Sequence, residues 1–248
     1  MIGFGTLFNI ATILVGTLLG TLLGSRLSEK TNRTVTDSLG LITIVLGALN
    51  LVSLNDAAYV KAVSGPGTFF IVIFAILFGS IAGSMLQIEK RLESFGGWLQ
   101  GRFQSKGNAD ASRQRFITGF VDASLIFAIG PMAILGSMSD GLGRGANTLV
   151  IKSILDGFAS IAFAASLGWG VGASAITVGI WQGLLTAVAF FGGAGIPTEM
   201  VSAITATGGV LMLGIGLRLL KIREVAVADM LPALVLAPLF TWLVSQFF

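Results

Sequence analysis

Apolar residues fall into eight blocks separated by short polar stretches: Gly3–Gly24, Thr36–Leu54, Thr68–Leu86, Phe116–Gly136, Asn147–Gly168, Gly172–Phe191, Val201–Leu220 and Leu231–Phe248. Each approaches the roughly twenty residues with which an α-helix crosses about 30 Å of hydrocarbon. The blocks are continuously apolar and rich in Leu, Ile, Ala and Gly, whereas barrel strands alternate apolar and polar residues in segments of about ten. The pattern predicts an all-α, polytopic transmembrane bundle of about eight spans, a single domain over residues 1–248. Pro232 and Pro238 interrupt the last block, which is also the shortest. Between the third and fourth blocks the period changes. Ile88, Leu92, Phe95, Leu99 and Phe103 recur at helical spacing among Glu89, Lys90, Arg91, Glu93 and Arg102, the signature of an amphipathic helix lying in the membrane interface. The polar, basic stretch Gln104–Arg115 reads as a linker, so 87–115 forms one segment on one side of the membrane.

Composition agrees with a lipid solvent. Charged residues make up 11% of the chain and hydrophobic residues 54%, against about 25% charged in an ordinary soluble domain. Glycine occupies 34 of 248 positions, roughly twice the usual share of about 7%, as expected where helices pack backbone to backbone. The chain has no Cys and no His. That excludes disulfides, thiol nucleophiles, His-ligated haem, His-bearing zinc sites and His-dependent triads. No cofactor is expected, and the chain is not expected to be an enzyme.

Basic residues set the orientation. If the N-terminus lies outside, twelve Lys and Arg fall in inner loops, from Arg26, Lys30 and Arg33 to Arg218, Lys221 and Arg223, and only Lys61 and Arg144 in outer ones. Both termini are therefore expected outside and residues 87–115 inside. Residues 1–24 carry no charge, so the first block lacks the basic n-region of a signal peptide and reads as a retained span. The basic loops are the ordinary topology signal, and no nucleic-acid partner is expected.

Two internal likenesses stand out. Ile13–Leu23 matches Ile76–Leu86 with both glycines in register, Gly16 with Gly79 and Gly20 with Gly83. Either a repeat or convergent GxxxG packing faces would produce this. Leu23-Gly-Ser25 also matches Leu135-Gly-Ser137 at opposite span ends, as a 3+3 inverted repeat would.

The chemistry concentrates in the fifth block. Asp156 lies nine residues beyond Asn147, about 14 Å along a helix and near the bilayer midplane. A charge there costs about 2.5–3.5 kcal/mol. Lys152, four residues earlier, shares its helix face and can pair with it. A purely structural ion pair is the plainer alternative. The fourth block carries Asp122, and Gly130-Pro131 in its middle, where proline removes a backbone donor and breaks the helix. Broken helices at membrane depth typify transporter sites, although a kink filled by a neighbouring helix would also satisfy it. Ser153, Asn9 and Gln182 are further polar residues able to face the same interior, and Asn50 is another; single amides also serve as helix–helix glue. The small residues Gly157, Ser160, Ser166, Gly168, Gly170 and Gly172 suit either a narrow polar path or tight packing. Oxygen ligands without His or Cys suit hard cations or protons, although the identity of any metal stays open.

The runs Gly130-Pro-Met-Ala-Ile-Leu-Gly-Ser137, Asp140-Gly-Leu142, Lys152-Ser-Ile-Leu-Asp-Gly157, Ser160-Ile-Ala-Phe-Ala164 and Gln182-Gly-Leu-Leu-Thr186 resemble the bacterial membrane family called domain of unknown function 554. Gly208-Gly209 to Pro232, with Gly214-Ile-Gly-Leu-Arg218, is similar to its C-terminal part. The resemblance spans nearly the whole chain and implies a multi-pass protein of the bacterial inner (plasma) membrane; it brings no substrate. Asp156-Gly-Phe-Ala159 is also similar to the Asp-bearing motifs of small bacterial manganese exporters, a likeness of four residues.

The leading expectation is a transporter or channel for an ion or small polar solute, its partners being the bilayer and that solute. Its site would use Asp156, Lys152, Asp122, Ser153, Asn9, Gln182, Gly130 and Pro131, and a homo-oligomer is compatible with it. Two alternatives differ in class. An intramembrane aspartyl enzyme would need Asp122 and Asp156 within about 5 Å sharing a proton, and a structural or assembly protein would dock partners on 87–115.

Overall fold

The computed structural model describes residues 1–103, 109–193 and 195–247. Among these the chain is all-helical: α1 Phe4–Gly24, α2 Glu29–Leu51, α3 Ala57–Val63, α4 Gly67–Leu86, α5 Ile88–Phe103, α6 Ala109–Ala128, α7 Pro131–Gly141, α8 Asn147–Leu167, α9 Gly170–Gly192, α10 Thr198–Leu219 and α11 Ala233–Val244. Short 3-10 turns at Val52–Asn55 and Val227–Met230 extend α2 and precede α11. Seven helices are long and apolar enough to cross a membrane, and an eighth crossing is supplied if α6 and α7, bent by 64° at their junction, form one span.

Several boundaries move for local reasons. Gln104–Arg115 is not a linker throughout: α6 begins at Ala109, because a helix can run past the bilayer into water, and residues 104–108 lie outside the described residues. The expected second span starts a turn or more earlier, at Glu29. Pro232 does not interrupt the last helix but stands at its N-cap, with only Pro238 inside it, since a proline near a helix start loses no hydrogen bond. The helix α3 was not foreseen. Asp56 caps it, accepting hydrogen bonds from the amides of Ala58 and Tyr59 at 3.1 Å each.

The described residues form two compact units. One comprises Met1–Leu39, Arg91–Ala128 and Met132–Gly195. In it α1 lies on α8 through Gly16, Gly20 and Gly24, where any Cβ would overlap the backbone carbonyls of Gly157, Ile161 and Ala165. These contacts advance together along both helices, so α1 and α8 run parallel. α9 runs antiparallel to α1, with Gly172 against Thr17 and Gly179 against Ile10, and parallel to α6, whose Phe116 meets Gly170 and whose Ser124 accepts from Thr177 at 2.6 Å. The four directions are those that alternating spans require.

The second unit comprises Gly40–Lys90, Ile129–Pro131 and Ile196–Phe248. Here Gly47 of α2 and Gly209 of α10 meet closely, and Gly79 and Gly83 of α4 receive the backbone at Ala233 and Asp229. Both glycine pairs of the internal likeness are thus packing faces. Tyr59, Val63, Ile71, Ala203 and Ala237 join in a buried core. Burial pushes the Tyr59 phenol up to about 12, partly countered by a hydrogen bond with Thr241. On the same unit Glu89 accepts from Arg218 and from the amide of Ala228, both at 2.7 Å, while its own amide donates to Asp229 at 2.8 Å. That reciprocal cap ties the start of α5 to the Val227–Met230 turn.

The α1–α8 seam yields a direct test. Gly20→Leu should cost about 1–3 kcal/mol by overpacking, whereas Gly183→Leu, on the α9 face where no atom lies within 4 Å of the added Cβ, should leave melting in detergent unchanged. Equal melting of the two variants would contradict the packing described.

Candidate functional site

α8 is inverted relative to a soluble helix. Its apolar Ile151, Leu155 and Phe158 are exposed, and its polar Lys152, Ser153, Asp156 and Ser160 are buried. In lipid this is the stable arrangement, because apolar side chains can face acyl chains and each charge must find a partner inside. Lys152 and Asp156 are only 7% and 8% exposed and form a direct ion pair one helical turn apart. Asp156 is the tenth residue of the 21 in α8, which puts the pair at the middle of the helix.

Two further groups complete the pair. Asn9 of α1, fully buried, donates from Nδ2 to Asp156 Oδ2 at 3.0 Å. Lys152 Nζ also donates to the backbone carbonyl of Phe127 at 2.7 Å. That carbonyl has a specific reason to be available. In an uninterrupted helix it would accept from the amide four residues on, and that residue is Pro131, which has none. Gly130, at φ 145°, takes the backbone between the end of α6 at Ala128 and the start of α7 at Pro131 through a conformation that favours glycine. The break that proline makes in α6–α7 thus leaves an orphan acceptor, and the lysine of α8 satisfies it.

The expected site residues divide on this geometry. Lys152, Asp156 and Asn9 come together. Ser153 is buried, but its hydroxyl donates back to Leu149 at 2.6 Å within its own helix, so it adds no donor to the pair. Gln182 on α9 is fully buried, and among the described residues neither its Nε2 nor its Oε1 has a hydrogen-bond partner, nor do Asn9 Oδ1, Ser160 Oγ and Thr17 Oγ1. A buried polar group left unpaired costs about 1–3 kcal/mol, and these atoms lie on α1, α8 and α9. Asp122 is fully buried in α6, five residues before Phe127. Gly130 and Pro131 contribute through the break itself. Asn50 bonds to the Met212 sulfur in the second unit, its Nδ2 at 3.3 Å. Gly157, Gly170 and Gly172 are seats for neighbouring helices.

One further buried carboxylate was not among the expected site residues. Asp140, 3% exposed in α7, accepts from the amide of Gly5 at 3.0 Å. It caps the start of α1, where unpaired amides and the helix dipole favour a negative charge. It lies four residues beyond the fourth apolar block, Phe116–Gly136, and entered the sequence reading only within the family-like run Asp140-Gly-Leu142. An ionisable residue in a Met-Ser-Asp-Gly run still inside the helix was the available signal.

Electrostatically the site is one carboxylate, one ammonium, one carboxamide and one freed carbonyl. Lys152 supplies the positive charge that pairs with the carboxylate.

The model of the family described as "Protein of unknown function (DUF554)" matches residues 4–242. The chain is 28% identical over 246 residues to the "Uncharacterized membrane protein YdfK" of Bacillus subtilis (strain 168), covering 98% of each chain. It is 30% identical over 233 residues to the "Uncharacterized protein YqgA" of Escherichia coli (strain K12), covering 94% of each. No solved structure matches. With that span and these relatives, the protein is a multi-helix membrane protein belonging to the DUF554 family.

Proposed function

We propose that this protein is a transporter or channel for a small cation in the bacterial inner membrane, not an enzyme, and that Asp156 is its binding carboxylate. The observation that carries this reading is the buried Lys152–Asp156 pair at mid-helix, joined to a carbonyl freed by a broken helix and to Asn9. A donor set with one negative charge suits a monovalent cation or a proton. Lys152 then serves as a tethered cation that the transported ion displaces, or that withdraws when Asp156 takes up a proton. Such exchange keeps the carboxylate compensated throughout, which membrane depth demands. An aspartyl dyad fits less well, because an adjacent ammonium favours the ionised carboxylate where a dyad needs a shared proton.

The bond from Lys152 to Phe127 favours one second reading, in which the pair is only a staple between α8 and the broken helix. Salt dependence separates them. Lys152→Met removes the resident cation and leaves the oxygens. Under the transport reading, its melting temperature rises with sodium or potassium concentration well beyond that of the unaltered protein, following RT ln(1 + [L]/Kd). Salt responses that match in the two proteins, with melting equally independent of pH in both, favour the staple.

Orientation belongs to the same proposal. In this Cys-free chain, Arg91→Cys should react with impermeant maleimide only from the cytoplasmic side and Lys61→Cys only from outside. The reverse labelling would invert the topology.

A further inference from the structure

We propose that the first unit holds a bound anionic phospholipid of the leaflet facing the basic loops, with one acyl chain along α9 and the phosphate at Arg115. The lipid site begins as an apolar groove of about 840 Å³ whose lining includes Ile10 and Leu14 of α1, Phe116 of α6, Trp169 at the N-cap of α9, and Ala173 and Ile180 of α9. Leu14, Trp169 and Ile180 are exposed, so the groove opens on the lipid side. From Trp169 to Ile180 it runs eleven residues of helix, about 16 Å, close to half of the roughly 30 Å hydrocarbon core. That is one leaflet.

At its basic end the groove does not stop. Phe116 and Trp169 also line a second cavity, of about 300 Å³, whose other walls include Thr21, Ser25, Ser112 and Arg115. The change of character is abrupt: a hydrocarbon slot gives way, across a tryptophan, to three hydroxyls and a guanidinium. Trp belongs at this depth, where lipid tails meet head groups. Arg115 is fixed rather than free to wander. Its Nε donates to the carbonyl of Ser166 at 2.6 Å and Nη2 reaches Ala165 at 3.5 Å, both in the last turn of α8. Its Nη1 is not needed for that cap. Arginine's planar fork suits phosphate, and Ser112 adds a hydroxyl beside it, whereas Thr21 and Ser25 donate theirs to carbonyls of α1 and only make the recess wall polar. Slot length, interfacial aromatic and terminal cation follow one another in the order of tail, glycerol region and phosphate. A detergent-like neutral occupant would use only the slot, and a free phosphate only the recess.

The test uses the purified full-length protein, delipidated in neutral detergent, and follows its melting temperature. Phosphatidylglycerol should raise it by about 5 °C more than phosphatidylcholine of identical chains, while inorganic phosphate and glycerol phosphate should do nothing comparable. Arg115→Gln keeps a donor for the Ser166 carbonyl but removes the charge, and should erase the difference between the two lipids. Ala173→Phe fills the slot at a half-buried groove position, and should lower the response to both lipids. Equal responses to the two lipids in the unaltered protein would overturn the proposal, as would full reproduction of the shift by inorganic phosphate. So would both variants keeping the phosphatidylglycerol preference unchanged. Native mass spectrometry should find one phosphatidylglycerol retained per chain in the unaltered protein and in neither variant.

Discussion

Lys152→Met and Asp156→Leu should each lower stability by about 3–5 kcal/mol, and the double variant by much less than their sum. Removing one member leaves the other charged in a dry interior with incomplete compensation. Without Lys152, Asp156 keeps, among the described residues, the Asn9 amide alone, and the Phe127 carbonyl loses the lysine that donates to it. Without Asp156, Lys152 keeps only that carbonyl. Replacing both by apolar residues of similar volume removes the two charges together and leaves mainly the orphan carbonyl and the Asn9 amide to satisfy. The coupling energy should therefore be several kcal/mol, larger than the 0.5–3 kcal/mol usual for contacting residues. Equilibrium unfolding of the four proteins in mixed micelles measures it. Additive losses would mean that the pair does not act as a unit, and unchanged stability in both single variants would mean that it is not buried.

Much of this was legible beforehand because lipid makes sequence explicit. With no water to satisfy backbone groups, spans must be helical and about twenty residues long, so apolar block length alone located them. The Lys152–Asp156 pair was readable from its spacing of four, and the Gly130-Pro131 break from proline's missing amide. What remained hidden depends on tertiary approach. Asn9 meets Asp156 across 147 residues of sequence, and nothing in its own block separates it from Asn50, which bonds to Met212 instead. Ser153 looked like a site residue from its position beside Lys152, but its hydroxyl finds the carbonyl four residues back in its own helix, the default for serine in a span. The Phe127 carbonyl is a backbone group and carries no side-chain signal. Its role follows only when Pro131 and Lys152 are considered together. Asp140 lies beyond the apolar block that ends at Gly136 and so gave no depth signal, whereas α7 continues through it and its carboxylate caps α1. Arg115 likewise looked like one more positive-inside charge until its contacts with the end of α8 were visible.

The largest functional effect belongs to Asp156→Asn. The substitution keeps the side chain's size and one oxygen for Lys152 while removing the only negative charge among the groups described around the ammonium. Its structural cost should therefore fall below that of Asp156→Leu, and the protein should purify as a folded, monodisperse species. Under the proposed transport reading, flux should not survive this change, because an amide neither attracts a cation to membrane depth nor exchanges a proton. Asp122→Asn should act in the same direction with smaller effect, since its carboxylate lies nearer the basic side of α6. Gln182→Leu should stabilise the fold slightly by removing a buried amide without partners, and should impair transport if that amide contributes to the ion's path.

Flux through proteoliposomes tests the central claim most directly. Purified protein is reconstituted, sodium, potassium and proton gradients are imposed in turn, and tracer or dye signals are compared with those of the Asp156→Asn variant at equal protein content. The account predicts flux of at least one of these cations in the unaltered protein and background flux in the variant. Undiminished flux in Asp156→Asn, or none above background for any of the three in the unaltered protein, would contradict it.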